Sequence, residues 1–559
     1  MIESAPLLTS SGLILWLKVG ISVALLAALY LRYRNRAAPA EPLTGGAKTM
    51  LVVAALLSFA VFHNLGQPRS GTFVHYGEMF HYYIGAKYFD ELGHYELYKA
   101  VIVADAEQGS ALRELPFFTD LTTYQNASRA SALASAKAVK SHFSKARWRA
   151  FKRDVAFFRD ATATPQAPGL FFLVMDHGYN ASPVSTLVLG ALTNLVPVTK
   201  LWLLAALDVV LVVAMATLVF TVFGFEMGAL FSIFFSVNIL NDHGYISGGL
   251  LRYDWLFCIV AAVCLLQRRR HAASAVFLTA AAMLKIFPVV LLYGAGVAIA
   301  RKVTSRRALD GASVRFMVAA GVTSVVLFLL PAISLGSVLE PWEQFSAKTS
   351  LHNDGVYVNH LGLRGMMVFE PSHLSLDEFV ATYAQGASGD IVRNWQDAKE
   401  AEAREKKPLI VLSSLLVLAC VTAIVWKREE KDLEIEGILW PLLLIYTGSY
   451  PSHYYYTFLC LFVLLFFRRA NTLRSFVPLA LLLVFNIVAL VTDAKSPSPI
   501  AFYTLVNIYL FVCLVAILGH ELYANVLGRS PEAAVPVDVP GAFPAARSAP
   551  PKRGRGKKR

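Results

Sequence analysis

The chain has 559 residues, of which 56% are hydrophobic and 16% charged, with a formal net charge of +13. A soluble domain carries roughly 25% charged residues, and here long apolar runs recur from end to end, so a soluble globular protein is excluded and an all-α polytopic membrane protein is predicted. The positive charge does not point to nucleic acid, because the basic residues lie mostly between apolar runs and in the closing PPKRGRGKKR, where the positive-inside rule places them.

Leu13 to Leu31 reads as the first span, followed by Arg32, Arg34 and Arg36. The residues before it carry Glu3 and no base before Lys18, which predicts the N-terminus outside and the arginines in the cytoplasm. The N-terminus lacks the basic n-region of a cleavable signal. Thr49 to Leu65 returns outward and opens a long first outer loop, residues 67–182. Its start, Phe73 to Lys99, is crowded with Tyr, His and Glu. His75, Glu78 and His81 recur there at a spacing that puts them on one helical face. That set is also a crude metal-ligand spacing, but no fourth ligand is identifiable. Further on, Trp148, Phe151, Val155 and Phe158 alternate with Lys145, Arg149, Lys152 and Arg153. This predicts an amphipathic basic helix, which either lies on headgroups or covers the loop's own core.

After Asp176 and His177, Pro183 and Pro197 bracket an apolar run too short for a comfortable crossing, which reads as a re-entrant half-helix. Leu201 to Phe223 goes in, Met227 to Leu240 out, and Leu250 to Leu266 in, ending at Arg268, Arg269 and Arg270. His271 to Ala300 then has basic clusters at both ends, so one crossing cannot satisfy it. It is predicted to be a hairpin of two short helices turning at Lys285-Ile286-Phe287-Pro288. A lysine at that depth costs several kcal/mol unless it faces a wet cavity or a partner. Phe316 to Ile333 goes out to a second outer loop, residues 334–407, carrying His352, Asn359, His360 and Arg364 and closing in a charged helix. Pro408 to Trp426 goes in to Lys427, Arg428 and Lys431. Gly437 to Tyr450 and Tyr454 to Phe467 form another short hairpin, tipped by Tyr450-Pro451-Ser452-His453 and returning to Arg468 and Arg469. Phe476 to Val491 and Phe502 to Leu518 complete about 13 spans of the length a bilayer needs, with a basic tail at 525–559.

The organisation expected is thus N-terminal helices (1–66), first outer loop (67–182), core (183–333), second outer loop (334–407), C-terminal helices (408–524) and a disordered cytoplasmic tail (525–559). The five cysteines all fall in apolar runs and read as core residues. No P-loop and no internal repeat is present. Charge alone places Glu78, Lys285, Arg364 and His453 on one side of the membrane. A carboxylate can take a proton from a hydroxyl, and Lys or Arg can hold a phosphate and stabilise its charge as it leaves. That inventory suits transfer of a sugar from a lipid phosphate. Each residue also has a plain structural reading: Glu78 pairs with Lys87 or caps a helix, Lys285 belongs to an ion pair, and His453 caps a turn.

Four segments carry a resemblance. Glu78, Tyr82, Ala86, Gly93, Leu97 and Tyr98 follow an early span, Lys285 and Pro288 form a Lys-x-x-Pro in a short hairpin, Tyr450, Pro451, Ser452 and His453 precede a late span, and Asn359 to Gly365 lies between them. In these the chain resembles the polyprenol-phosphate-dependent GT-C glycosyltransferases, closest to glycosyltransferase family 87, over most of Val61 to Phe467. It departs in having Glu78 where the family has Asp, in the order of Ser and Pro, and in the length of the first loop. The resemblance implies a sugar donor on polyprenyl phosphate, often mannose or arabinofuranose, no nucleotide sugar and no cofactor, and inversion in one displacement. It implies Glu78 and His453 as catalytic and Lys285 and Arg364 as donor-phosphate ligands. His75, His81, Tyr82, Asp176, His177 and Asn359 are the substrate-binding candidates, with a lipid or glycan acceptor and no metal. A transporter of a lipid-linked saccharide is the competing expectation, since broken helices and midplane charges suit it too.

Overall fold

The computed structural model describes residues 10–35, 44–66, 72–109, 111–163, 169–241, 247–384, 386, 390–428, 433–467 and 472–524. Arg36, Lys431, Arg468, Arg469 and the basic tail lie outside them. The described residues are mostly helical; one short antiparallel pair, Phe118–Thr119 with Asn126–Ala127, is the sheet among them. Among the described residues seven helices are long and apolar enough to cross a membrane: Gly12–Arg34, Gly45–Phe62, Val198–Phe223, Gly311–Leu335, Lys407–Trp426, Leu473–Asp493 and Pro499–Leu522. Five shorter apolar helices accompany them, including Pro183–Leu195, Phe225–Val237 and Asp254–Gln267. The long ones show apolar side chains such as Val318, Val322 and Leu416 outward, as a lipid-facing surface requires. This is a multi-pass α-helical membrane protein.

The His271–Ala300 run is broken where the sequence predicts. One helix runs His271–Leu284, the backbone is extended at Lys285, and the next helix runs Val289–Arg306. Pro288 cannot donate into the preceding turn, so the break is built in. The two far ends meet: His271 Nε2 lies 3.3 Å from Glu434, and Lys302 pairs with the same carboxylate. A run whose ends meet is a hairpin, and Lys285 is at its tip. The second predicted hairpin is likewise there, as Leu433–Leu439 and Leu443–Gly448 against His453–Cys460 and Leu461–Phe466.

Most of the first loop folds into a lobe with its own core, including Phe80, Tyr83, Tyr88, Tyr98 and Tyr179. The amphipathic helix forms as Lys145–Thr162, capped by Ser144. Of its two predicted roles the structure gives the second. Trp148, Phe151, Val155 and Phe158 are buried in the lobe, and Asp154 ties the helix in by pairing with Lys87 at 2.8 Å. The charged end of the second loop is the helix Ile391–Glu405, begun by Asp390.

Candidate functional site

The lobe sets Glu78 by its backbone. The His75 N–H donates to the Gly248 carbonyl at 3.0 Å. Gly248 has φ +80°, and a Cβ there would sit 2.2 Å from the Phe73 carbonyl oxygen, so no other residue fits. His75 Nδ1 then accepts the Glu78 N–H at 3.1 Å and starts the short helix Tyr76–Met79. A π-turn, Phe80–Ile84, follows, a geometry that recurs at functional sites. Phe80 and Tyr83 turn into the lobe core, while Glu78 and Tyr82 turn to a cavity.

Behind Glu78 stands Arg252. Asp208 accepts the Arg252 N–H at 2.8 Å, and the Trp255 indole donates to the Arg252 carbonyl at 3.1 Å. The guanidinium is buried, lies 3.2 Å from Glu78 Oε2, and packs against the rings of Tyr82 and Tyr454 at 4.8 and 5.0 Å. An arginine is permanently charged, so this carboxylate has a fixed cation on one side and the cavity on the other.

Lys285 is set by the half-helix Pro183–Leu195. The Ser182 and Ser185 hydroxyls donate to the carbonyls of Met283 and Leu284 at 2.7 and 3.1 Å, satisfying the end of the first hairpin helix. The Lys285 ammonium makes no hydrogen bond or salt bridge among the described residues, and the Asp254 carboxylate lies close enough to feel its charge. It lies 5.6 Å from the centre of the Tyr82 ring and 5.8 Å from that of Tyr455. Tyr82 thus stands against both the Arg252 and the Lys285 cation.

Glu78 and Lys285 open into one cavity of about 880 Å³. Part of its lining is an apolar trough of Val289 and Val290 of the hairpin, Val411, Leu415 and Leu418 of Lys407–Trp426, and Leu444. Another part, the polar end, has Asp176, His177, Asn180, His352, Asn353 and Asn359. The tip Tyr450-Pro451-Ser452 closes the polar end and is pinned there by an antiparallel bridge, Ser452 with His360. Asp176 is open to the cavity yet deep in the protein. Burial pushes its carboxyl up, but the His177 hydrogen bond and the neighbouring charges of His81 and His177 outweigh this and hold it well below the usual carboxylate range. Burial pushes His352 down to about 3 and His360 well below its ordinary value, so both rings are neutral.

Seven of the ten expected site residues line this cavity: Glu78, His81, Tyr82, Asp176, His177, Lys285 and Asn359. His81 does so as a support, its nitrogens engaged by Tyr98 at 2.9 Å and the Gly77 carbonyl at 3.1 Å. The other three do not reach it. His453 follows Ser452 in the bridged tip, and alternation sends its ring to the opposite side, against Tyr503 at 4.8 Å, with Nδ1 3.2 Å from the Asn359 carbonyl. Arg364 is spent on the second loop, donating to the Asn353 and Gly355 carbonyls. His75 is the helix cap described above, so His75, Glu78 and His81 do not converge on a metal. Glu78 does not pair with Lys87, which is held by Asp154.

Sequence reasoning missed Arg252, Lys348 and His352. Arg252 had a signal, an arginine between the apolar stretches Ile246-to-Leu251 and Trp255-to-Leu266. The cost argument applied to Lys285 applies to it equally. Compared with protein-family models, with curated proteins and with solved structures, the chain finds no match.

Proposed function

We propose that the chain is a membrane glycosyltransferase that moves a mannose- or arabinofuranose-like sugar from a polyprenyl-phosphate donor to a hydroxyl of a lipid or glycan acceptor. The observation that carries this reading is an ammonium without an ion-pair partner, Lys285, sharing a cavity with a carboxylate, Glu78, at the head of an apolar trough. A cation in no salt bridge, only within electrostatic reach of Asp254 and open to apolar walls, suits an anion that arrives with a hydrocarbon chain.

The donor phosphate sits at Lys285 and its chain lies in the trough. Glu78 takes the proton of the acceptor hydroxyl as that oxygen forms a bond to the anomeric carbon. The bond from that carbon to the phosphate oxygen breaks, and the electron pair leaves on the polyprenyl phosphate, whose charge Lys285 stabilises. The anomeric centre inverts. Arg252 keeps Glu78 turned to the cavity. The likeness to GT-C family 87 enters through Glu78, Tyr82, Lys285, Pro288 and the Tyr450-to-His453 tip.

The topology belonging to this reading has about 13 spans counting the short helices, with the cavity facing outside or the periplasm. In its support, the basic residues gather at the end of the bundle away from Lys285: Arg269 and Lys302 share Glu434, and Arg428 and Arg474 share Glu521. The experiment is turnover in detergent. Transfer needs no sealed vesicle, so label moving from polyprenyl phosphate to acceptor in micelles supports a transferase. Movement of lipid-linked sugar only across sealed vesicles supports a transporter.

A further inference from the structure

The transferase reading leaves the acceptor unspecified, and the polar end of the cavity is built for something other than a phosphate. Its wall is a run of rings. His352 stacks on Tyr357 at 4.9 Å and 19°, His177 meets Tyr357 edge-on at 4.4 Å, and Tyr124 backs His177 at 4.9 Å. In front of that wall stand three amides. Asn180 has a weak contact from the Tyr124 hydroxyl at 3.5 Å, while the side chains of Asn353 and Asn359 have no hydrogen-bond partner among the described residues.

Charge separates this end from the Lys285 end. Burial keeps the His352 and His360 rings neutral. Lys348 lies nearby, but its ammonium is turned to the Leu121 carbonyl at 2.9 Å and packs on the Tyr124 ring at 4.4 Å. Burial lowers it to about 7. The carboxylate of Asp176 faces the cavity, so this end repels anions. A phosphate, a nucleotide or a uronic acid meets the Asp176 carboxylate, and the lysine at this end, Lys348, is turned to the Leu121 carbonyl. A neutral sugar finds what it needs. Its C–H faces pack on rings, and each hydroxyl both donates and accepts, as an amide does with its oxygen and nitrogen side by side. His81, one turn on from Glu78, has Nδ1 3.9 Å from Asp176 Oδ2, so the base borders this end as well.

Resting on the transferase reading, we propose that the polar end of the cavity is the acceptor site and that its ligand is a neutral carbohydrate, stacked on His177, His352 and Tyr357 and hydrogen-bonded by Asn180, Asn353 and Asn359. The acceptor is then a glycan, or a lipid bearing one, rather than a plain lipid alcohol.

Saturation-transfer NMR on the detergent-solubilised full chain tests this, with a panel of methyl glycosides: neutral hexopyranosides, neutral pentofuranosides and methyl glucuronoside. At least one neutral glycoside is expected to receive saturation at its C–H protons, and the glucuronoside much less. In the double variant Asn353→Ala, Asn359→Ala that binding weakens roughly tenfold, the loss of two modest hydrogen bonds. Neither side chain is bonded to the protein, so this variant keeps the fold; His352→Leu is the second variant and removes part of the wall. The proposal is overturned if no neutral glycoside binds, if the glucuronoside binds as well, or if both variants bind like the parent chain. A parallel titration with a polyprenyl phosphate, on the parent chain and Lys285→Ala, separates the two readings. Lipid-phosphate binding through Lys285 without glycoside binding overturns the acceptor site alone. Glycoside binding at the wall without lipid-phosphate binding supports the site and removes the donor reading.

Discussion

The two ends of the helical bundle treat buried charge in different ways. At the end where the hairpin helices His271–Leu284 and Val289–Arg306 begin and finish, cations and carboxylates are matched. Glu434 takes Arg269, His271 and Lys302, and Arg428, which is buried, takes Glu436 and Glu521. At the cavity end, among the described residues, Lys285 has no salt bridge, burial keeps His352 and His360 neutral, and the side chains of Asn353 and Asn359 are open. The cavity end has a buried pair too, Arg252 with Glu78, but there the carboxylate also faces the cavity, whereas the pairs around Glu434 and Glu521 line no part of it. The contrast is therefore one of access: Glu78 and Lys285 face a cavity, and the charges at the other end pair with each other.

Substitutions at the two ends therefore break different things. The largest effect is expected for Glu78→Gln, which keeps size and cannot accept a proton: transfer falls roughly a hundredfold to ten-thousandfold while the thermal midpoint and donor binding are kept. Normal transfer in Glu78→Gln together with its loss in Asp176→Asn would move the base to Asp176. Next comes the matched end. Arg428→Gln leaves buried Glu521 and Glu436 with less charge compensation and is expected to cost ~3–5 kcal/mol of stability, read from thermal or denaturant unfolding. Acid acts on the cavity end. Burial pushes His94 and His373 down to about 4 and His352 to about 3. Below pH 6.5 the unfolded chain binds protons that the folded chain refuses, so stability falls as pH drops from 6.5 to about 4 for His94 and His373 and on to about 3 for His352, and is flat in these groups above 6.5. For His94 alone this is ~3 kcal/mol, measured as a falling unfolding midpoint across that window. The smallest effect is expected for Lys285→Ala, a loss of roughly ten- to a hundredfold in polyprenyl-phosphate affinity with stability unchanged. Lys285→Arg restores part of it. A large stability loss in Lys285→Ala would place the lysine in the structure rather than the site.

The helical hairpin was legible because its signals are local: basic clusters at both ends, and a lysine and a proline in the middle of an apolar run. The cavity's composition was half legible for the same reason, since Glu78, Lys285, Asp176 and His177 stand out where they are. What could not be read is which way a side chain turns when a distant segment decides it. His453 is turned away by the bridge between Ser452 and His360, and Arg364 is drawn into the carbonyls of its own loop. Arg252 carried a local signal, an arginine inside the expected Leu250-to-Leu266 span, but its partner is not local. Its role comes from Glu78, which lies far from it in sequence.

The central claim is that this cavity transfers a sugar from a lipid phosphate with Glu78 as base. Purified chain in detergent, given radiolabelled polyprenyl-phosphate sugars and a membrane extract as acceptor, tests it directly. The account predicts label moving into acceptor material with the parent chain and almost none with Glu78→Gln, at equal donor binding. Label that stays on the polyprenyl phosphate with the parent chain, or moves as fast with Glu78→Gln, would contradict it.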